Sequence, residues 1–329
     1  MVLLQCSKSG SFQVFGVDLR ADSQVIAFDA GPEFNVTLAE LFDKPHALPT
    51  VPKVAQQLIH SFSRDDVGMD EIAQQLSADP VLSAKTLRLA NSAYFHVSRR
   101  VASVDDALRM LGFVMVRNLV VGSEIADAFK AVPGLDLPQF WRHSLYTACA
   151  ARWLAQQKGH NADLAFTVGL VHGLGHLVMH AGAPEKMKVL ARACHPLAAE
   201  RARLERAELG YDHAAVGAEL AARWKFPAEV CDPLRATPDP LHSDPPSEIG
   251  ALVHIATWRS RVDVLQLDAA QAGQGCPADV GRALGLSLAW LPELDTVGAA
   301  QSALMPSMPT MPPMPGLAEL THGLEAMFG

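Results

Sequence analysis

The stretch Asp79-Pro-Val-Leu-Ser-Ala-Lys-Thr-Leu-Arg-Leu-Ala-Asn-Ser-Ala-Tyr94 decides the fold. Its opening aspartate can cap free backbone N–H groups, and proline suits the first position of a helix. Leu82, Leu87 and Leu89 then follow at helical spacing. Asn91 stands where the helix should end, and we expect it to cap the helix or to bond a neighbouring loop. The stretch therefore predicts a buried helix with a defined start and end.

Helical patterns continue on both sides of this stretch. After Leu48-Pro-Thr-Val-Pro52, the apolar residues Val54, Leu58 and Phe62 repeat every four positions. Ser103-Val-Asp-Asp106 predicts another helix start, because its serine can cap the first turn and an acidic residue follows three positions later. The sequence therefore predicts a body built almost entirely from helices.

The two ends of the chain differ from this body. Residues 11–28 contain two β-rich runs, which predict a small hairpin that must dock on the body or pair with a partner. Residues 305–315 are rich in Met and Pro and predict an extended linker before a short C-terminal helix. The expected divisions are an N-terminal extension over 1–44, a helical domain over 45–295 and a C-terminal segment over 296–329.

Composition limits the classes of function. Apolar residues make up 49% of the chain and aromatic residues 6%, which favours a large helical core. The net charge of −8 argues against binding to nucleic acid or anionic membranes, and the basic cluster from Arg201 to Arg206 is interpreted as a solvated face. Five scattered cysteines without a CxxC pair indicate reduced thiols. With neither a signal-peptide pattern nor a long apolar run, we expect a cytoplasmic protein.

Three histidines stand four residues apart in His172-Gly-Leu-Gly-His176-Leu-Val-Met-His180. On a helix they share one face, and imidazoles at this spacing can bind one metal ion. A hydrolytic metal site also needs a carboxylate or a third ligand, and a group that handles protons. No Asp or Glu lies between Asp163 and Glu185, so an acidic partner must come from elsewhere in the chain. We expect His180 to face solvent or to lie near the helix end, because a glycine and a proline follow closely.

Several separate motifs carry a family resemblance. In chain order they are Leu48-Pro-Thr-Val-Pro52, Asp79 to Tyr94, Ser103 to Gly112, Val116-Arg-Asn-Leu119, Gly169 to His176, and Leu209 to Gly217. Together they resemble the HDOD domain, a bacterial signalling output module related to the HD and HD-GYP phosphohydrolases. The resemblance covers residues 45–295. It implies an all-α bundle with two helical lobes, over 45–130 and 135–295, preceded by the small β element.

The resemblance also implies a degenerate metal site. Catalytic HD proteins hold a metal with a His, an adjacent His-Asp pair and a distal Asp, which correspond here to His143, to His172 with Gly173, and to Thr257. Both carboxylates are therefore missing, since glycine has no side chain and threonine offers only a neutral hydroxyl. The implied vestigial cleft comprises His143, His172, Gly173, His176, His213 and Thr257. No catalytic residue and no cofactor are expected.

Alternatives remain for the polar residues. His143, His172 and His176 can bind zinc if their rings converge, although core histidines bonded to the backbone are the simpler interpretation. Asp212 and His213 predict a helix start. Arg117 can bind an anionic ligand, but a salt bridge is the commoner role for such an arginine.

We interpret the chain as a non-catalytic bacterial signal-transduction module that binds a partner protein and is not an enzyme. Two other functions stay open. One is a metal-dependent phosphohydrolase or phosphodiesterase acting on nucleotides, and the other is a module that binds a nucleotide or a small anion without chemistry. The sequence identifies neither the partner nor the pathway, and a homo-oligomer is compatible with it.

Overall fold

The computed structural model forms two compact units, Met1–Asn35 and Val36–Gly329. The residues that it describes are 3–6, 12–15, 37–43, 53–60, 69–91, 100–286, 314–322 and 324. In the first unit, strand β1 (Leu3–Cys6) pairs antiparallel with strand β2 (Phe12–Phe15). β2 overlaps the first β-rich run of the predicted hairpin, and the second run lies outside the described residues.

The described part of the second unit is helical, which confirms the predicted all-α body. The main hydrophobic core includes residues of both predicted lobes, from Leu41 to Val280, within one compact unit. The helices are α1 (Leu38–Phe42), α2 (Lys53–His60), α3 (Met69–Ala78), α4 (Pro80–Ala90), α5 (Val104–Leu111), α6 (Phe113–Ala128), α7 (Leu137–Lys158), α8 (Ala162–Val171), α9 (Leu174–Gly182), α10 (Pro184–Ala193), α11 (Arg201–Leu209), α12 (His213–Arg223), α13 (Ala228–Ala236), α14 (Glu248–Val264), α15 (Ala269–Gln274), α16 (Ala278–Ala283) and α17 (Leu317–Thr321).

Helix α4 begins and ends as the opening stretch predicts. The Asp79 carboxylate accepts hydrogen bonds from the backbone N–H groups of the second and third helical residues, at 2.8 and 3.2 Å. At the other end, the Asn91 side chain donates to the carbonyls of Leu87 and Val101 and accepts from the N–H of Val101. Its φ of −91° is not left-handed. Asn91 therefore acts through the neighbouring loop, which is one of the two predicted roles.

The site is positioned by close packing of α7 against α8 and α14, and of α9 against α12. The second contact depends on glycine. A Cβ on Gly175 would lie 1.8 Å from the carbonyl oxygen of His213, and one on Gly217 would lie 3.3 Å from the backbone N of Gly175. The two helix backbones therefore touch directly, and this contact brings His213 beside His176 of α9.

His180 lies near the end of α9, which is one of its two predicted positions. It does not face solvent, however, since it is fully buried and its Nδ1 donates to the carbonyl of Pro133 at 2.9 Å. The reason is that α10 starts immediately after α9, so the end of α9 is a packed corner. Trp224, at the end of α12, is half-buried and packs against the main core.

Two apolar segments also pack into the body. Residues Ala162–Gly182 are long and apolar enough to cross a membrane, but 89% of the relevant window is buried inside the protein, as in a core helix. Near the C-terminus, Leu317 of α17 and Leu324 are fully or almost fully buried in the main core.

Candidate functional site

The candidate site is a cavity of about 90 Å³ between α7, α9 and α14. A volume of about 10–15 Å³ accommodates one water, so the cavity can hold several waters or a compact ion. The predicted residues that line it are His143, His172, Gly173, His176, His213 and Thr257. His254 and Arg261 of α14 line it as well, and the lining contains no Asp or Glu. The structure thus brings the whole predicted set together and adds two residues to it.

His143 and His172 form one wall, with ring centroids 5.2 Å apart in an edge-to-face arrangement. The hydroxyl of Ser260 donates to the carbonyl of His143, so its oxygen accepts the Nδ1–H of the same histidine at 2.8 Å. His172 donates its Nδ1–H to the carbonyl of Gly169 at 2.6 Å. Because a neutral imidazole has a single N–H, both rings keep a lone pair on Nε2.

Helix α14 supplies the facing wall. His254 donates its Nδ1–H to the carbonyl of Thr237 at 2.8 Å, so its Nε2 also keeps a lone pair. Thr257 donates its hydroxyl hydrogen to the carbonyl of His254 at 2.7 Å. Arg261 follows one turn later, and within the described ranges its guanidinium has neither a hydrogen bond nor an ion pair. Burial lowers the Arg261 pKa, and the negative charge of Glu200 partly opposes this effect.

His143, His172 and His254 are uncharged near neutral pH. Burial lowers the pKa of His172 to about 4, although its bond to the Gly169 carbonyl opposes the shift. Burial, followed by the charges of His172 and Arg261, holds the pKa of His143 well below its ordinary value. Burial also lowers the pKa of His254, and the charge of Arg261 contributes in the same direction.

Behind the cavity, His176 and His213 stack with ring centroids 3.9 Å apart and share the carboxylate of Glu205. Glu205 is fully buried and accepts bonds from Arg201 Nε at 2.8 Å, His213 N at 2.9 Å and His213 Nδ1 at 2.7 Å. His176 Nδ1 lies 3.5 Å from the carboxylate and has no hydrogen bond. Glu205 is therefore the acidic partner of His176, which the sequence between Asp163 and Glu185 does not supply.

Charge stabilises this buried network. Burial alone would raise the pKa of Glu205, but the charges of His213 and His176, with the hydrogen bonds from His213 and Arg201, hold it well below its usual range. Burial likewise lowers the pKa of His213, but the charge and hydrogen bond of Glu205 outweigh burial and raise it. The prediction that the segment from Arg201 to Arg206 is a solvated face holds for Arg203 and Arg206, which are exposed, but is wrong for Arg201, which is fully buried with Glu205.

Two possible metal sites fit poorly. The predicted set of His143, His172 and His176 is split between two groups, because His176 lies with Glu205 and His213. The ligand atoms of His176, Glu205 and His213 are all within 4.8 Å of one another. In this second group the carboxylate already accepts three hydrogen bonds, one of them from a buried guanidinium. A divalent cation would have to compete with that positive charge. We interpret the group as a structural ion-pair network.

The metal site of catalytic HD proteins does not fit either. A Cβ on Gly173 would lie 2.9 Å from Cε2 and 3.0 Å from Cζ of Phe140, so the aromatic ring occupies the space of the missing carboxylate. Thr257, at the second carboxylate position, uses its hydroxyl within its own helix. Hard divalent cations prefer oxygen ligands with negative charge, and this lining offers none.

Arg117 lies outside the cavity lining. It is buried in α6, with its guanidinium carbon 5.0 Å from the centroid of the Phe113 ring. Burial lowers its pKa to about 10, and the charge of Asp163 opposes the shift. The prediction of a ligand-binding role for Arg117 therefore has no support in the geometry of the cavity.

Three site residues escape the sequence analysis: Glu205, His254 and Arg261. A signal exists for the last two, because His254, Thr257 and Arg261 stand three and four residues apart and so share one face of α14. Glu205 has a weaker signal, which is its four-residue spacing from Arg201.

The sequence and the fold both have relatives. Residues 48–240 match the sequence model of a family described as the HDOD domain. Over 203 residues the chain is 27% identical to an uncharacterized protein of Treponema pallidum (strain Nichols). That match covers 60% of this chain and only 39% of the relative.

Solved structures extend the likeness to most of the chain. A protein of Shewanella amazonensis SB2B, named as a candidate phosphohydrolase, has a TM-score of 0.66 and 26% identity, covering 90% of this chain and 99% of that one. An HDOD domain protein of unknown function from Geobacter sulfurreducens has a TM-score of 0.61 and 24% identity, with coverages of 81% and 93%. A candidate signal transduction protein of Marinobacter aquaeolei VT8 has a TM-score of 0.60 and 24% identity, with coverages of 85% and 60%.

Proposed function

Because this chain belongs to the HDOD domain family, we propose that it is a non-catalytic signalling module that acts by binding a partner protein. The signalling role rests on the family. The non-catalytic character rests on one observation, which is that the Phe140 ring fills the space beside Gly173 where a metal-binding carboxylate would have to stand.

The charge of the cavity supports this proposal. A catalytic metal must hold a water molecule and lower its pKa, and its own charge must be compensated by the ligands around it. Here the imidazoles of His143 and His172 are neutral, and Arg261 adds a positive charge to the cavity lining. A divalent cation in this half-enclosed space would remain uncompensated.

Metal content and hydrolysis test the absence of catalysis. The purified full chain should contain no stoichiometric metal by mass spectrometry. It should hydrolyse neither a phosphomonoester nor a cyclic dinucleotide with Mg²⁺, Mn²⁺ or Fe²⁺. One tightly bound metal per chain, with turnover that disappears in the His172→Ala variant, would contradict the proposal. That outcome would favour the second candidate, a phosphohydrolase, which the likeness to the Shewanella protein supports.

Partner binding needs a separate test. We expect the chain to co-purify from its native cell with a protein of a signalling pathway, and the two purified proteins to re-form the complex on size-exclusion chromatography. A chain that elutes without that protein after mixing at physiological salt would argue against partner binding. This result would leave the hydrolysis test unaffected.

A further inference from the structure

We propose that the cavity binds a compact oxyanion that carries its own O–H donor, namely a phosphate group. This inference goes beyond partner binding and does not depend on it. It rests on which atoms of the cavity wall can still donate or accept a hydrogen bond, and on where the positive charge stands.

Three of the five imidazoles that line the cavity present lone pairs, and the other two, His176 and His213, belong to the Glu205 network. His143, His172 and His254 each donate their Nδ1–H to an oxygen of the protein, and in the neutral ring this leaves Nε2 as an acceptor. His172 and His254 are fixed in this state by main-chain carbonyls, which can only accept. The three rings therefore cannot act as donors to a ligand without first binding a proton.

The hydroxyl groups of the wall can likewise accept a hydrogen bond from a ligand but cannot donate one. Thr257 has given its hydrogen to the carbonyl of His254, and Thr237 has given its hydrogen to the carbonyl of Pro233. Each oxygen keeps lone pairs and has no proton to offer. A ligand that fits this wall must bring hydrogen-bond donors of its own.

Arg261 supplies the opposite property. Its guanidinium carries a fixed charge and five N–H donors in a planar fork that suits an oxyanion. It lines the cavity, and no described residue forms a hydrogen bond or an ion pair with its guanidinium. Carboxylates act on the site from outside the lining. Glu205 pairs with His176 and His213, Glu200 interacts with Arg261, and Asp239 and Asp279 interact with His254. The lining itself therefore has an excess of positive charge.

Hydrogen phosphate and phosphate monoesters combine the two required properties. Near neutral pH a phosphate group still carries an O–H in part or all of its population, so it can donate to an imidazole Nε2 while its charged oxygens accept from Arg261. Sulfate has the same shape and charge but no proton. A sulfate oxygen would face a lone pair of the wall and leave both groups unsatisfied. The cavity volume of about 90 Å³ accommodates a phosphate group.

Calorimetric titration of the full chain with sodium phosphate, sodium sulfate and adenosine monophosphate, at neutral pH and equal ionic strength, tests the proposal. We expect phosphate to bind about tenfold or more tightly than sulfate, which is the discrimination that an unpaired buried acceptor produces. Binding of adenosine monophosphate with phosphate-like affinity identifies an ester as the source of the group. Binding of inorganic phosphate alone identifies the free ion.

Variants assign the binding to the cavity. Arg261→Gln should weaken phosphate binding about tenfold or more, while Arg235→Gln, on the exposed face of α13 and paired with Asp232, should leave it unchanged. Thr257→Val, which removes one acceptor, should reduce the preference for phosphate over sulfate. Circular dichroism checks that each variant is folded, and Arg261→Met replaces Arg261→Gln if the latter is not.

Three results would overturn the proposal. They are equal affinity for phosphate and sulfate, unchanged binding by a folded Arg261 variant, and no binding of phosphate at millimolar concentration.

Discussion

Replacing Glu205 by Gln tests the buried network behind the cavity. The amide keeps the shape of the side chain but has one acceptor oxygen and one donor nitrogen in place of two charged oxygens. In the native chain both oxygens accept, one from Arg201 and the other from the N and Nδ1 of His213. Whichever way the glutamine turns, its NH₂ group faces a donor.

The cost follows from the charge that remains. Arg201 is fully buried, and once the carboxylate is gone its charge faces only neutral acceptors, which are the new amide oxygen and the carbonyl of Cys194. Breaking a buried ion pair by removing one partner costs about 3–5 kcal/mol. His213 can move its proton to Nε2 and accept from the new NH₂ group, which recovers about 1 kcal/mol. We therefore expect a loss of about 3 kcal/mol in the free energy of unfolding.

Urea denaturation followed by circular dichroism measures this loss. Glu208→Gln is the matched control, because Glu208 lies on the same helix α11 and is exposed. It should change the free energy of unfolding by no more than about 0.5 kcal/mol. Coincident midpoints for the two variants would refute the interpretation of Glu205 as a structural anchor. The double variant Arg201→Met with Glu205→Leu should be less destabilised than Glu205→Gln, since it leaves no buried charge.

Three further predictions follow from other contacts. Gly175→Ala should lower the free energy of unfolding by about 3 kcal/mol or more, because its methyl group would meet a backbone oxygen at 1.8 Å. The control Gly217→Ala, with its closest contact at 3.3 Å, should cost about 1 kcal/mol or less. Equal denaturation midpoints would disprove the direct backbone contact. Acidification from about pH 6.5 to about pH 4 should destabilise the protein. In the unfolded chain His172 takes up a proton near pH 6.5, whereas in the folded chain its pKa is about 4, so the folded state resists protonation over this range. The free energy of unfolding should therefore fall by about 3 kcal/mol across it. His213 acts with the opposite sign, since its raised pKa gives a contribution that is complete below the unfolded value and is lost at higher pH; a midpoint in urea that does not fall on acidification would contradict the assignment of buried neutral histidines. Long-range ¹H–¹⁵N spectra at neutral pH should show the proton of His172 on Nδ1, and a proton on Nε2 would remove the basis of the phosphate proposal.

Helix starts can be predicted from the sequence because capping depends on residues that are close together in the chain. Asp79, Ser103 and Asp212 each cap the helix that follows them, as their positions before apolar runs indicate. Capping involves backbone groups only two or three residues away, so no knowledge of the rest of the fold is needed. The resemblance to the HDOD family, carried by such motifs, likewise agrees with the match over residues 48–240.

The candidate site could be predicted only in part. The histidines are visible in the sequence, but their grouping depends on which helices meet. His176 lies with Glu205 because α9 and α12 approach at glycine, and no spacing rule joins residues 29 positions apart. The burial of Arg201 and Glu205 is similarly tertiary, since a basic helix segment is solvated in most proteins.

The ring of Phe140 has a consequence for how such a protein can change. An aspartate at position 173 cannot be accommodated while the ring is present, and removing the ring first would open a hole in the core at a cost of about 3–5 kcal/mol. That cost is a large fraction of the stability of a typical domain. Each single step towards a metal-binding carboxylate at this position therefore lowers stability before any ligand is in place. Packing at one aromatic residue thus makes positions 140 and 173 interdependent, so that a change at either one is tolerated best when the other changes with it.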